Sequence, residues 1–437
     1  MTDPSSAASG ADVRSIAVTL YRSCLDRKIT VEEAVEGDAR ARKLAPRDRA
    51  LLANILLTCF RHRGESEAVL NSLLDKPLPR KSGATMDILI LGVAQLLFLD
   101  MPPHAVIDLS VRAAKADRNA LHFAGVVNAV LRKVAMAGSS LLDGLDAGKL
   151  NTPGWLWERW TTTYGEDTVR SIALAHTARP ALDISVKNRP EHWQKVLGAM
   201  LLPNGQLRLP AGHAPVPELA GFGDGEWWVQ DAAATIPVDL LGRISGLNVL
   251  DLCAAPGGKT LQMAARGARV TAVDMSDARL RRLRANLART GLEAEVRTVD
   301  MLSSTLQGQW DALLLDAPCT ATGTIRRHPE LPHLRRESQI KELSGLQRQM
   351  LSKAASLVTP GGMLVYCTCS LEPEEGEAQL RWFRGWNSDF EVIPAALPWL
   401  PPQAIGPEGW VRTVPSMRLG DSQGMDGFFA AVLRRKP

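Results

Sequence analysis

From about Val13 to Ala137 the apolar residues return every three to four positions, in runs such as "VRSIAVTLYRSCL", "RDRALLANILLTCFRHR", "ATMDILILGVAQLLFL", "HAVIDLSVRAAKA" and "FAGVVNAVLRKVA". That spacing lays an apolar stripe along one helix face and predicts a succession of amphipathic helices. Gly and Pro punctuate the runs, notably at Pro77, Pro79, Pro102 and Pro103, so residues 11–140 read as an all-helical domain behind a short disordered tail at 1–10. At "AGSSLLDGLDAGKLNTPG", residues 137–154, the composition turns to Gly, Ser and Asp, which predicts a connection between domains. Beyond it "WLWERWTTTYG" and "DTVRSIALAHTA" keep the helical spacing and "ALDISVKN" reads as a strand. A Gly- and Pro-rich stretch follows at 203–225, and residues 141–228 are read as a linker and small mixed α/β module.

After Val229 the rhythm becomes strand, loop, helix. The strands are "LNVLDLC", "ARVTAVD", "AEVRTVD", "DALLLD" and "GMLVYCT", with helical patterns such as "ARLRRLRANLART" and "ELSGLQRQMLSKAASLV" between them. Short apolar strands alternating with helices predict a Rossmann-like, doubly wound and mostly parallel sheet over 229–437. Ligands bind such sheets beyond the carboxyl ends of the strands, where Asp251, Asp274, Asp300 and Asp316 fall.

Composition narrows the class. At 437 residues, 45% hydrophobic and 22% charged, the chain suits a soluble multidomain protein. The start "MTDPSSAASGADV" lacks the basic and apolar regions of a signal peptide, and "LLANILL" and "ILILGVAQLLFL" fall short of the ~18 apolar residues of a membrane span. The expectation is a cytoplasmic monomer without a membrane partner. Six cysteines without a secretory signal argue for free thiols. Cys367 and Cys369 have neither a second pair nor a neighbouring His, so no metal is expected. The net charge of +4 is uneven: residues 11–140 hold 19 Lys and Arg against 14 Asp and Glu, and the remainder is close to neutral. That excess suits either an acidic partner such as RNA or a solvated basic face.

"VLDLCAAPGGKTLQMAA", residues 249–265, reads as strand, Gly-rich turn and helix, a turn that lets a ligand approach the backbone at the positive end of a helix. A Walker loop would need Gly five positions before Gly258, where Cys253 stands, and the dinucleotide spacing G-x-G-x-x-G is missing. What remains is a nucleoside-containing ligand whose carboxylate meets the turn. Asp274, twenty-three residues beyond Asp251, is placed to accept from a ribose diol, and Asp300 from an adenine amino group. S-adenosylmethionine meets these demands; the alternative makes each Asp a capping residue after its strand. The cofactor candidates are Cys253, Ala254, Ala255, Pro256, Gly257, Gly258 and Lys259 of the turn, with Asp274, Asp300 and Asp316.

Two further segments carry thiols at strand ends, "DAPCTATG" with Cys319 and "YCTCSLEPEEGE" with Cys369. Together with "DLCAAPGGKT", in this order, they resemble the motifs of RNA cytosine-5 methyltransferases. "LFLDMPPHAVIDLSVRAAK" and "FAGVVNAVLRKV" resemble the NusB-like N-terminal domain of the bacterial Sun/Fmu branch, which methylates 16S ribosomal RNA. In that family the cysteine of the Thr-Cys-Ser motif attacks C6 of the base and that of the Asp-Ala-Pro-Cys motif assists proton removal and release. The resemblance therefore implies Cys369 as nucleophile, Cys319 as the releasing residue and Asp316 as the acid facing the cytosine N3/N4 edge, with Pro318 shaping the bend.

The chemistry needs such a pair. C5 is a poor nucleophile toward a sulfonium methyl until a thiolate adds to C6 and makes an enamine; afterwards the C5 proton and the thiol must leave. Only a thiolate reacts, so positive charge from Lys259, Arg326 or Arg327 is expected to lower the thiol pKa. Cys253 and Cys367 need only be small buried groups, and Cys24 and Cys59 lie in helical core patterns. Gly376 departs from the pattern, standing where many relatives have Asn after the Glu pair. "TIRRHPELPHLRR", residues 324–336, offers Arg326, Arg327 and His328 to an RNA backbone, or forms a solvated helix face. The target base must be swung out of its stack to reach a thiol. The resemblance implies as partner a decoding-region cytosine of 16S ribosomal RNA, naked or in an assembling small subunit. A non-catalytic RNA scaffold and a methyltransferase acting on another RNA such as tRNA are the alternatives, and a DNA-type enzyme would pass the nucleophile's role to Cys319.

Overall fold

The computed structural model describes residues 4–210, 212–303 and 306–437. They fall into two units: Met1–Ala178 with Arg327–Arg335, and Arg179–Arg326 with Arg336–Pro437.

The first unit is helical. Its elements are α1 (Pro4–Arg27), α2 (Val31–Gly37), α3 (Ala39–Lys43), α4 (Pro46–Arg61), α5 (Arg63–Leu73), α6 (Thr85–Leu97), α7 (Pro103–Ala116), α8 (Ala124–Ala137), α9 (Ala147–Leu150), α10 (Gly154–Tyr164) and α11 (Glu166–Thr177). Of the expected tail, residues 1–3 lie outside the described residues, and the backbone from Pro4 already belongs to α1. Residues Ile88 to Gln95 of α6 are buried all round, so this is the central helix, and the stripes of α1, α4 and α8 close on it through Tyr21, Ile55, Phe60 and Leu131. Thr30 and Glu33 form a reciprocal capping box at α2, and Pro46 opens α4 at a position where a missing N–H costs nothing.

The helical unit does not end at the Gly- and Asp-rich stretch. Asn151 Nδ2 donates to Glu65 Oε2 at 2.7 Å, and Arg61 Nη1 donates to the carbonyls of His176 and Ala178 at 2.8 and 3.2 Å. The unit therefore runs to Ala178. The small polar residues mimic a linker because they serve short helices, as when Asp146 caps α9 by accepting from Lys149 N. Residues Ala120–Leu142 have the length and apolarity of a membrane span, which the shorter stretches counted from the sequence did not. They comprise α8 between two 3₁₀ turns, with Val127, Val130, Leu131 and Val134 buried in the unit's own core.

The second unit opens with β1 (Leu182–Val186), α12 (Pro190–Leu197), β2 (Met200–Leu201), β3 (Leu207–Leu209) and β4 (Trp227–Val229), a small antiparallel sheet in the order β2-β3-β1-β4. It continues through α13 (Ala232–Leu240), β5 (Asn248–Leu252), α14 (Gly258–Ala265), β6 (Arg269–Asp274), α15 (Asp277–Thr290), β7 (Glu295–Thr298) and β8 (Trp310–Asp316). The segment Arg327–Arg335, with α16 (Leu331–Leu334), belongs to the helical unit. Then come α17 (Ser338–Ser356), β9 (Val358–Thr368), α18 (Glu377–Trp386), β10 (Phe390–Ile393), β11 (Val411–Thr413), β12 (Arg418–Leu419), β13 (Ser422–Gln423) and β14 (Phe428–Arg435).

The large sheet runs β10-β14-β9-β8-β5-β6-β7, parallel from β9 to β7, with β14 antiparallel against β9 and β11 beside it. Side chains alternate between its faces as the strand period requires: Val249, Ala312, Leu314 and Val365 enter one core, and Leu250, Leu313, Leu315 and Leu364 the other. Both faces are covered, which explains strands that are apolar throughout. The chain moves outward from β5 to β7, then returns to place β8 on the other side of β5. The order thus reverses between β5 and β8, where doubly wound sheets open a crevice for ligands.

Candidate active site

The first wall of this crevice is the turn after β5. Cys253 takes a left-handed conformation with φ 61°, and Gly257 has φ 109°, with a Cβ there lying 2.3 Å from Leu283 Cδ1; only glycine fits that close passage. α14 starts at once, without a capping side chain, so its first N–H groups are open to an anionic ligand. Asp274 braces the turn: one carboxylate oxygen accepts from Ala255 N at 3.2 Å and the other from Ser276 N at 2.9 Å. The cap of α15 is Ser276 and not Asp274. Arg279, unnoticed in the sequence, donates to the Ala255 carbonyl at 2.6 Å. Beyond the carboxyl end of β6, Met275 is 74% exposed, an apolar surface bare at the mouth. Asp300 is exposed, two residues past the end of β7 and not within it, and holds Leu302 N at 2.9 Å. Uncapped helix donors, a braced carboxylate and an exposed thioether fit the carboxylate, ribose and adenine of S-adenosylmethionine. Asp251 is different: it is fully buried beneath the turn, accepts from Thr260 Oγ1 at 2.5 Å, and burial pushes its pKa up to about 7.

The second wall explains the recurrence of the thiol motifs. β8 and β9 are adjacent and parallel, with Asp316 opposite Cys367, so the loops leaving them emerge side by side. Cys319 Sγ and Cys369 Sγ stand 3.5 Å apart. The two loops are held by a buried carboxylate that sequence reasoning passed over, Glu375. It accepts from Thr320 N at 3.0 Å, Thr320 Oγ1 at 2.5 Å, Ser370 Oγ at 2.6 Å and Gln347 Nε2 at 3.1 Å. Thr320 adjoins Cys319 and Ser370 adjoins Cys369, so one side chain grips both. Gln347 also donates to the Pro318 carbonyl at 2.9 Å, and Gly323 N to the Cys369 carbonyl at 3.0 Å. Glu375 lies within the quoted "EPEEGE", but four glutamates share that run and only the fold decides which one grips both loops.

Lys259 Nζ lies 2.8 Å from Asp316 Oδ2, joining the cofactor turn to the end of β8. Burial alone would lower the lysine pKa, yet the facing carboxylate outweighs it and the net shift is upward. Cys319 is raised well above the ordinary thiol range by its hydrogen bond with Cys369 and by burial, so it is protonated at neutral pH. The expected lowering by positive charge does not hold for this thiol: Lys259 is committed to Asp316, and Arg326 is turned elsewhere. Cys367 is raised by burial and by Asp316, and Cys253 by burial, in keeping with inert thiols.

Arg326 requires a correction. It is 5% exposed and its guanidinium meets Asp231 at 2.7 Å and Asp426 at 3.6 Å, so it presents no face to a phosphate. The surrounding segment is not one helix but a 3₁₀ turn at Thr322–Thr324 and the separate α16. Arg327 and His328 are half-buried and belong with the helical unit, where Glu330 is buried and accepts from Val31 N at 3.2 Å. Among the described residues no group of three or more His, Cys, Asp or Glu is disposed to hold a metal ion.

A doubly wound sheet with this turn, preceded by a helical unit, is the arrangement of a Rossmann-like S-adenosylmethionine-dependent methyltransferase behind a helical N-terminal domain. Residues 240–434 match the family model of 16S rRNA methyltransferase RsmB/F, and residues 11–136 that of the NusB family. The chain is 36% identical to ribosomal RNA small subunit methyltransferase B of Cronobacter sakazakii, with 90% of this chain and 92% of that protein aligned. Against the same-named protein of Vibrio cholerae the identity is 33%, over 97% and 98% of the two chains. The crystal structure of PH0851 superposes over the whole of both chains at 25% identity with a TM-score of 0.75. A methyltransferase homologue from Pyrococcus horikoshii does so over 64% of this chain and 93% of its own, at 30% identity and a TM-score of 0.54. The chain belongs to the RsmB/F family of ribosomal RNA methyltransferases.

Proposed function

We propose that this chain transfers a methyl group from S-adenosylmethionine to C5 of a cytosine in 16S ribosomal RNA, naked or partly assembled, through a covalent adduct to Cys369. The observation that carries the reading is the pair of thiols 3.5 Å apart at the ends of adjacent strands, beside the Lys259–Asp316 pair. S-adenosylmethionine supplies an electrophilic methyl when bound against the α14 turn. Cys369, having lost its proton to water, adds to C6 and pushes the ring electrons to C5, which would take the methyl as its bond to the sulfonium sulfur breaks and a neutral thioether leaves. Asp316 holds the N3/N4 edge of the base, and Lys259 keeps that carboxylate in place. Loss of the C5 proton to water returns the electrons to the ring and expels the Cys369 thiolate, and the Cys319 thiol beside it assists release by sharing its proton with the departing sulfur. Arg327 and His328 are the members of the basic segment that remain assigned to the RNA backbone.

The test uses labelled cofactor and unmodified 16S RNA. Cys369→Ala is expected to abolish transfer, and Cys319→Ala to accumulate a denaturation-resistant protein–RNA adduct. An adduct that forms only with Cys319 intact and Cys369 absent reverses the two roles, and no transfer to any RNA by the wild type removes the proposal.

A further inference from the structure

Gly376 and Arg412 form a fitted pair behind the Cys369 loop. Gly376 precedes α18, and a Cβ built on it would lie 2.6 Å from Arg412 Nη2 and 2.8 Å from the Phe429 ring. The absent side chain is therefore filled by the arginine. Arg412 sits on β11, opposite Phe429 of β14, and is 5% exposed. Its guanidinium lies 5.2 Å from the Phe429 ring centroid and forks onto Glu377, with Nε to Oε1 at 3.0 Å and Nη2 to Oε2 at 2.7 Å. Nη1 is left to donate to the Ser370 carbonyl.

The carbonyl of Ser370 and the N–H of Leu371 are the two ends of one peptide unit, and the N–H donates to Thr322 Oγ1 at 3.0 Å. That plane is therefore held at both edges, one residue beyond Cys369. We infer that Arg412 is a positioning residue for the nucleophile, fixing the main chain of the Cys369 loop, and that Gly376 is the glycine that admits it. The inference rests on Cys369 being the nucleophile. Without Arg412 the Ser370–Leu371 peptide keeps its Thr322 anchor but loses the one on its carbonyl edge, so it can tilt and let Cys369 Sγ drift from its place beside Cys319. Lysine retains the charge and one donor but not the fork onto Glu377 that aims it.

The experiment compares methyl transfer to 16S RNA by Arg412→Met, Arg412→Lys, Gly376→Ala and the double variant Arg412→Met/Gly376→Ala, with Cys369→Ala as control. Arg412→Met is expected to lower kcat by about ten- to a hundredfold, the scale on which a small misplacement acts, while KM for S-adenosylmethionine stays unchanged because the α14 turn is untouched. In a Cys319→Ala background adduct formation slows by the same factor, and Arg412→Lys recovers part of the loss. Gly376→Ala lowers kcat alone but adds little on top of Arg412→Met, the non-additivity expected of two residues acting through one contact. A kcat for Arg412→Met within about twofold of wild type, or losses that multiply in the double variant, overturns the inference. Should Arg412→Met fail to fold, Gly376→Ala, which keeps the guanidinium and shifts it, decides on the same split of kcat against KM. Transfer by Cys369→Ala takes down the nucleophile assignment and the inference with it; a silent Cys369→Ala with a full-rate Arg412→Met takes down the inference alone.

Discussion

Removing the Glu375 carboxylate tests whether the two thiol loops are held as one body. Of its four donors, Thr320 N and Gln347 Nε2 are N–H groups that can only donate, and both reach Oε1. Thr320 Oγ1 and Ser370 Oγ reach Oε2, and these hydroxyls lie 3.1 Å apart and can turn to accept. Glutamine therefore fits with its carbonyl toward the two N–H groups and its amide toward the two hydroxyls, and Glu375→Gln is expected to cost no more than about 1 kcal/mol. Alanine takes the acceptor from two buried N–H groups, at about 1–3 kcal/mol each, so Glu375→Ala is expected to lose about 2–6 kcal/mol of stability. Because the loss falls between Cys319 and Cys369, methyl transfer should fall with it, whereas glutamine keeps most of the rate. Urea unfolding of the three proteins, with transfer measured at a temperature where all are folded, separates stability from geometry. Equal costs for glutamine and alanine would refute the hydroxyl reversal, and a normal rate in a folded Glu375→Ala protein would refute the clamp.

Asp251 gives a pH-dependent outcome. Its folded pKa of about 7 lies above the ordinary carboxylate value, so the folded state binds the extra proton and stability declines as pH rises toward 7. One such group contributes a slope of about 1.4 kcal/mol per pH unit in that interval, and Asp251→Asn should flatten the profile of unfolding free energy between about pH 4 and 7. A wild-type profile already flat there contradicts the assignment. Arg326→Met, which leaves Asp231 and Asp426 buried without their cation, should cost about 3–5 kcal/mol. The salt dependence of RNA binding should not change, since the side chain touches no phosphate; a shallower salt slope would return Arg326 to the RNA surface.

Most of the architecture was legible because periodicity reports burial. α1, α4 and α7 show one-sided stripes, and β5 and β8 are apolar on both faces because both faces are covered. Residues 137–154 misled because Gly, Ser and Asp serve capped short helices as readily as linkers, and only contacts such as Asn151 to Glu65 separate the two. Arg326 misled for a related reason: a run of arginines has the same composition whether it faces solvent or enters a buried cluster with Asp231 and Asp426, acids remote in sequence. The strand, turn and helix over 249–265 were legible because they are contiguous in the chain. Glu375 and Arg412 were not, because their function lies in contacts made across the β8, β9 and β14 strand ends.

The spacing of the thiols shows how far local sequence reaches and where topology takes over. Cys319 stands three residues past Asp316 and Cys369 two past Cys367, and these offsets are plain in the chain. What brings the sulfurs to 3.5 Å is the register Asp316 to Cys367. That register is reset near the base of the strands. Trp310 pairs with Val358, but Ala312 pairs with Met363, so β9 takes up extra residues through Thr359, Pro360, Gly361 and Gly362 before regular pairing resumes. Gly361 supports the irregularity with φ 77°. Each residue of strand advances the chain by about 3.3 Å, so a two-residue slip would move one thiol about 6.6 Å along the sheet, beyond the reach of one pyrimidine held by both. The chemistry proposed for the carboxyl end of β9 therefore depends on a Pro-Gly-Gly irregularity at its opposite end, a dependence that follows from strand pairing and not from either cysteine motif.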